Sequence, residues 1–408
     1  MLTARQQEKL TRVGAGTPMG ELLRRYWMPV LASCDLKAGT IHKVRLFGED
    51  LVVFRDLKGN AGILEEHCPH RGTSLAYGCV DEEGIRCPYH GWKFNVTGKC
   101  LETPAEPANS KILKTARAKA YDIQELGGLV FVYLGPEPAP LLPSYDLFVW
   151  EGVIRDIGYA LIPCNWLQIM ENSVDPHHVE WLHGNQLAVT RSKKGSSVPT
   201  HYRKRQIKTG FDLFEYGIIK RRVLEGGSEE DDDWKIGHPL VFPNMVRVGS
   251  YRQHRFQIRV PVDDTHTLHF WYSCYQPLPG KKIPKQKTVP SYEVLWKDER
   301  GDFLVDFVDG QDIMSWVTQG AIADRTQEKL ASSDRGIVLL RRLLLKQLEK
   351  LETDEDPLCI IRNPDKNKII KLPQEREKFG QGKAFLVESM EMSHVRYSPI
   401  KDLIRKII

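Results

Sequence analysis

Residues 68–90, CPHRGTSLAYGCVDEEGIRCPYH, constrain this chain more than any other stretch. They read C-x-H, sixteen intervening residues, then C-x-x-H, so a hairpin-like excursion brings two Cys/His pairs at turn spacing back together. Two thiolates and two imidazoles from paired loops can hold a metal centre. With one Cys and one His per loop, the economical arrangement is a two-iron, two-sulfide cluster with thiolates on one iron and imidazoles on the other. Neutral histidines in place of anionic thiolates raise its reduction potential. A structural zinc site of Cys2His2 type draws on the same ligands, although zinc fingers usually space their histidines differently. Gly72 and Gly91 follow the two pairs, and glycine permits the close backbone approach that N–H donation to sulfur requires.

A second constellation lies in NWLQIMENSVDPHHVEWLHG, residues 165–184, where Asn172, Asp175, His178 and His183 follow the order N-x-x-D-x-x-H-x-x-x-x-H. Two histidines and a carboxylate on one face of a metal leave the opposite face open for O2 and solvent, as a non-haem Fe(II) oxygenase needs. On a regular α-helix residues five apart diverge by about 140°, so His178 and His183 meet only if the helix ends or bulges between them; Gly184 favours an ending nearby. Asp175 and His178, three apart, share a face. Asp175-Pro176 also reads as an N-cap followed by proline at the first helical position. His177 points away from its neighbour. The third ligand is a carboxylate farther on, with Asp302, Asp306, Asp309, Asp312 and Asp324 in competition, and Asp324 and Asp334 are expected to pair with Arg325 and Arg335.

At these residues the chain resembles the Rieske non-haem iron aromatic-ring oxygenases, in the α component and the phthalate-dioxygenase-like branch. CPHRG and CPYHGWKFN match the two cluster boxes, and the resemblance runs from GTPMGELLRRYWMPV through DRGIV. It implies a [2Fe-2S] cluster held by Cys68, His70, Cys87 and His90, and Fe(II) held by His178, His183 and Asp312, with Asp309 in reserve. Asn172 and Asp175 are then catalytic, Asp175 linking His178 to His90 of a neighbouring subunit. The implied fold is α+β: a helical segment at 1–40 packed on the catalytic domain, a Rieske β-sandwich at 41–136, and a helix-grip domain, an antiparallel sheet with helices, at 137–408. The implied partners are a reductase or ferredoxin drawing on NAD(P)H, O2, a small aromatic substrate, and further copies in a head-to-tail homotrimer.

Substrate identity is less constrained. The resemblance extends to lignin-biaryl O-demethylases of the dehydrodivanillate type, which implies monooxygenation of a methoxylated aromatic acid. Ring cis-dihydroxylation of a phthalate-like carboxylate and N-demethylation use the same machinery. A non-catalytic electron-transfer or zinc-stabilised protein is the reading from another class. A buried substrate carboxylate needs an Arg or Lys partner, and Arg203, Arg205, Arg221 and Arg247 are candidates. Trp316 follows Asp312 on one helix face and is either a pocket wall or core.

The rest of the sequence supplies the setting. Short β-type runs broken by glycines fill the region from Cys34 to Pro136; a proline-rich linker, PEPAPLLP, precedes longer strand-like runs, and LLRRLLLKQLEKLE is a clear amphipathic helix. After Thr17-Pro18, a helix is expected to carry Leu22, Leu23, Tyr26 and Trp27. The acidic run Glu229 to Asp233 reads as a solvated loop. A net charge of +5 from 58 basic and 53 acidic residues is too mild to imply nucleic acid. The N-terminus lacks a signal-length apolar run, and nothing reaches the roughly 20 apolar residues of a membrane span, so a cytoplasmic location is expected. The six cysteines outside the cluster boxes, Cys79 and Cys100 among them, are scattered as in reduced proteins.

Overall fold

The computed structural model describes residues 1–107, 109–353 and 355–408. Two short helices open the chain, α1 (Ala4–Thr11) and α2 (Pro18–Leu23). Thr3 caps α1 in a reciprocal capping box with Gln6, and Thr17 caps α2 with Pro18 in the first turn. The second helix stops before Tyr26 and Trp27, and the chain is extended by Met28, where Pro29 disfavours helical backbone. Both aromatics are nevertheless buried in the main core.

Ten short strands follow: β1 (Met28–Ala32), β2 (Ile41–Leu46), β3 (Glu49–Arg55), β4 (Ala61–Glu65), β5 (Cys79–Asp81), β6 (Gly84–Arg86), β7 (Lys93–Phe94), β8 (Cys100–Glu102), β9 (Asp122–Leu126) and β10 (Leu129–Tyr133). They form three antiparallel sheets, β2-β3-β4, β5-β6-β7-β8 and β1-β10-β9. Strand β1 therefore hydrogen-bonds to β10 across a hundred residues of chain. Val52, Phe54, Leu75, Ile85, Trp92 and Phe94 make a small separate core, and Cys68 and Cys87 sit in it. This is the rigid base beneath the two ligand loops.

The second half is built on one sheet. Its strands are β11 (Ile154–Ile162), β12 (Gln206–Phe214), β13 (Gly217–Leu224), β14 (His238–Val241), β15 (Met245–Ser250), β16 (Gln253–Pro261), β17 (Thr267–Tyr275) and β18 (Ser291–Glu293), in the order β12-β13-β14-β15-β16-β17-β11-β18. Every pairing is antiparallel except β11 with β18, which makes the sheet mixed rather than purely antiparallel. Central strands β16 and β17 are buried along almost their full length on both faces, whereas edge strand β12 is largely solvated. A sheet covered on both faces can hold polar residues in a dry interior, and Arg255, Arg259 and His269 are all buried there.

The four longest α-helices described in this half are α3 (Trp166–Ser173), α4 (Val308–Thr318), α5 (Arg335–Glu352) and α6 (Gly382–Met392). The amphipathic stripe of α5 buries Leu340, Leu343, Leu344 and Leu348. Glu171 of α3 is clamped by Arg325 (2.8 Å) and Arg341 (2.7 Å), which fixes that helix beside α5. Among the described residues no helix is long and apolar enough to cross a membrane.

Candidate metal centres

The two ligand loops share one backbone design despite their unequal Cys-to-His spacing. In the first, the Gly72 amide donates to the Cys68 carbonyl (2.8 Å) and the Cys68 amide to Thr73 (2.9 Å); in the second, Gly91 donates to Cys87 (3.1 Å) and Cys87 to Trp92 (2.8 Å). Each loop turns back at a glycine with positive φ, +74° at Gly72 and +72° at Gly91, a region that favours glycine. The cysteines are buried, while His70 is exposed and His90 half-buried. The two imidazoles lie 4.6 Å apart between ring centres, and His70 stacks on Trp92 at 4.4 Å. Burial, together with the adjacent Cys87, pushes the Cys68 thiol up to about 11. Two thiolates side by side here need positive charge between them, which a bound metal centre supplies. All eight cysteines are free of disulfides.

The second centre begins where α3 ends. After the turn at Asp175-Pro176, the chain enters a π-helix, Val179–Gln186, with His178 as its N-cap. Its i→i+5 bonding widens the turn and brings residues five apart towards one side. Thus the bulge, not an ending at Gly184, lets His178 and His183 converge. Gly184 serves packing instead: a Cβ there would lie 2.4 Å from the Tyr202 carbonyl oxygen.

Asp312 of α4 completes the group. One ligand atom from each of His178, His183 and Asp312 lies within 4.8 Å of the others. His183 Nε2 is 3.2 Å and His178 Nε2 3.8 Å from Asp312 Oδ1. The other nitrogen of each ring faces a polar partner: His183 Nδ1 bonds Gln311 Oε1 at 3.1 Å, and His178 Nδ1 lies 3.3 Å from Asp175 Oδ2, close enough for charge attraction. Two imidazoles with Nε2 turned towards one carboxylate are a donor set that fits a divalent metal with an open face. Burial opposes ionisation of Asp175, but the His178 ring and the His177 amide hold its carboxyl down at about 2. Burial likewise disfavours the His183 cation, and Asp312 beside it raises that imidazole above its ordinary value. Asn172 Nδ2 reaches Asp312 Oδ1 at 3.5 Å.

The competing acids are engaged elsewhere. Asp302 faces Arg300, Asp306 binds Lys194 and Arg396, and Asp309 accepts the His394 amide at 2.6 Å. The expected pairs of Asp324 with Arg325 and of Asp334 with Arg335 do not form. Asp324 instead caps a turn through Thr326, Asp334 accepts the Ala331 amide, and Arg325 is committed to Glu171. Trp316 packs in a buried cluster with Ile169, Ile313 and Trp271 and stacks near His269, so it is core.

A cavity of about 120 Å³ opens beside the triad. Asn172, His178, His183 and Asp312 line one side, and β13 and β14 supply Lys220, Arg222 and His238 on another. None of the four arginines expected to greet a substrate acid lines it. Arg203 and Arg205 are exposed, Arg221 pairs with Asp212, and Arg247 is tied to Asp146 and Gln374. The acidic run is not wholly solvated, because Asp233 is buried against Arg222 at 2.7 Å. Sequence reasoning missed Gln311 and Lys220. Gln311 had a usable signal, as the immediate neighbour of Asp312, whereas Lys220 had none without the strand register.

Fold and sites define a class of protein: a small β domain with a Cys2His2 loop pair, joined to a large mixed sheet that presents a two-histidine, one-carboxylate metal site. The Rieske [2Fe-2S] domain family matches residues 26–122, and the family described as LigXa C-terminal domain like matches residues 297–370. The chain is 42% identical to the 5,5'-dehydrodivanillate O-demethylase oxygenase subunit of Sphingobium sp., covering 91% of this chain and 87% of that one. It is 34% identical to the phthalate 4,5-dioxygenase oxygenase subunit of Pseudomonas putida, over 88% and 89% of the two chains. The solved structure of NdmA from Pseudomonas putida CBB5 shares the fold, with a TM-score of 0.61 at 21% identity over 82% of this chain and 93% of that one. The chain belongs to the Rieske non-haem iron oxygenases, as an α subunit of the phthalate-dioxygenase-like branch. It is therefore an oxidoreductase, the terminal oxygenase of an aromatic-oxidising system, and its cofactors are a [2Fe-2S] cluster and mononuclear iron.

Proposed function

We propose that this oxygenase removes a methyl group from a methoxylated, lignin-derived aromatic acid. The 42% identity to a dehydrodivanillate O-demethylase subunit across nine-tenths of the chain is the observation that carries this reading. O2, two electrons and two protons convert the aryl methyl ether to a phenol, formaldehyde and water. His178, His183 and Asp312 would hold the iron, and Cys68, His70, Cys87 and His90 the cluster. When bound, these groups supply one-electron transfer and O2 activation.

The chain's own residues orient, relay and exclude water. Gln311 and Asp175 fix the tautomer and direction of the two iron-binding imidazoles. Asn172 steadies the Asp312 carboxylate. The cavity beside them shields the methoxy group from bulk solvent. In this reading Asp175 also faces His90 of a neighbouring copy. Two features support it: the Asp175 side chain is 27% exposed although it lies beside the metal site, and Trp181 on the adjoining π-helix is 70% exposed. A head-to-tail trimer would cover both. A separate NAD(P)H-dependent reductase or ferredoxin provides the electrons.

Residues 1–40 then pack their helices on the catalytic domain while β1 within them completes the β9–β10 sheet, residues 41–136 supply electrons, and residues 137–408 carry the catalysis. Incubation with reductase, 18O2 and 5,5'-dehydrodivanillate tests the chemistry: formaldehyde and a free phenol are expected. A cis-diol from phthalate, with no formaldehyde from methoxylated acids, would instead assign ring dihydroxylation, the reaction in the name of the 34%-identical relative.

A further inference from the structure

The cavity beside the triad has an unbalanced wall. Four buried cations line it, Lys220, Arg222, Arg255 and Lys378. Two have counter-ions within the chain: Arg222 lies 2.7 Å from Asp233, and Lys378 lies 2.7 Å from Glu375. Arg255 has no ion pair but donates to His394 at 3.1 Å, which itself lies beside Asp309. Lys220 has still less. Its Nζ has a single weak contact, the Asp175 carbonyl oxygen at 3.4 Å, and among the described residues no carboxylate lies within ion-pair reach of it.

The strand register explains why this amine cannot escape to water. Lys220 sits opposite His238 in the β13–β14 pair, so its side chain projects from the interior of the sheet rather than from an edge. It is only 5% exposed. Burial first, and then the charges of Arg222 and Lys378, pull its ammonium down to about 7. A buried cation without a counter-charge is costly, and charge-assisted hydrogen bonds to an incoming anion offset that cost. The fold leaves this amine on the cavity wall without an anionic partner, and a bound carboxylate would favour its charged form.

We propose that Lys220 receives a carboxylate of the substrate and so selects aromatic acids over their neutral analogues. The inference rests on the oxygenase reading above and adds to it the residue that recognises the acid group. The Asp175 carbonyl ties the ammonium to the segment that carries His178, so acid recognition and oxidation share one cavity. Arg222 and Lys378 flank the anchor with their own counter-ions in place. They add positive potential without competing for the ligand.

The test measures binding rather than turnover. The complete oxygenase, with cluster and iron, is titrated calorimetrically with 5,5'-dehydrodivanillate, phthalate and the dimethyl ester of each, as wild type, Lys220→Met and Lys220→Arg. The cluster absorption spectrum verifies that each variant is folded. Wild type should bind at least one acid tenfold or more tighter than its ester. In Lys220→Met that acid should lose at least tenfold in affinity, with the acid-to-ester ratio collapsing towards one, and Lys220→Arg should restore most of the ratio. No preference for either acid in wild type, or equal loss for acid and ester in Lys220→Met, overturns the inference. An acid that binds through Lys220 but yields no formaldehyde overturns the O-demethylase reading and leaves this inference standing.

Discussion

His178 and His183 can point at one carboxylate because something holds the far side of each ring. For His183 that is Gln311, fully buried one residue before Asp312 on α4; for His178 it is Asp175. Partners of this kind typically carry 10- to 100-fold of metal affinity. Gln311→Leu should therefore weaken mononuclear iron binding by roughly 10–100-fold, read by competition with a chelator, while the cluster's visible spectrum stays as in wild type. Unchanged affinity would mean that the Gln311 contact is incidental. Asp175→Asn keeps the shape of the side chain but removes its charge. It should leave the cluster spectrum as in wild type and abolish steady-state turnover even with the iron site fully loaded; normal turnover in that variant would sink the electron-bridging role. The Cys/His pairs were legible in the sequence because their ligands are two or three residues apart and local backbone brings them together. Lys220 was not, because its place in the cavity depends on strand pairings that periodicity does not reveal.

At the scale of elements, the metal site is a junction of α3, the π-helix and α4, each secured from behind. The spacing of His178 and His183 required an irregular helix, and the structure supplies one with i→i+5 bonding. The sequence alone could not choose between an ending and a bulge, since Gly184 suits either; its role came from contact with Tyr202, which is distant in sequence. Behind α3, Glu171 pairs with Arg325 and Arg341, both buried, and Arg341 also pairs with Glu328. Removing one partner of a buried ion pair leaves an uncompensated charge, and the penalty is about 3–5 kcal/mol. Glu171→Ala should lower the thermal midpoint of the C-terminal half and speed loss of mononuclear iron on dialysis, since α3 leads directly into Asp175. A midpoint within a degree of wild type would contradict that role. The strand runs and the α5 stripe were readable from apolar periodicity. The parallel partner β18 was not: it is three residues long and pairs with β11 across more than a hundred residues.

Across the whole molecule, the two centres stand on separate cores, the cluster loops on the small apolar core of the β domain and the triad on the large sheet. If electrons cross between copies, activity belongs to the interface and not to the chain. Two inactive variants should then complement each other. Subunits lacking the cluster, through Cys87→Ser, retain Asp175 and the triad, while Asp175→Asn subunits retain the cluster. Co-expressed and assembled together, they should recover a fraction of wild-type turnover at interfaces that join an intact cluster to an intact Asp175. No recovery in mixed assemblies of verified composition would place the relay within one chain.

Underneath these predictions lies one assignment, that four residues near the N-terminus hold a cluster and three residues farther on hold a separate iron. Metal and sulfide analysis of the purified chain, alone and as His178→Ala, tests it most directly. Wild type should contain about three irons and two acid-labile sulfides per chain, and His178→Ala about two irons with both sulfides and an unaltered cluster spectrum. Zinc in place of iron, or loss of the cluster together with the third iron in His178→Ala, would contradict the account.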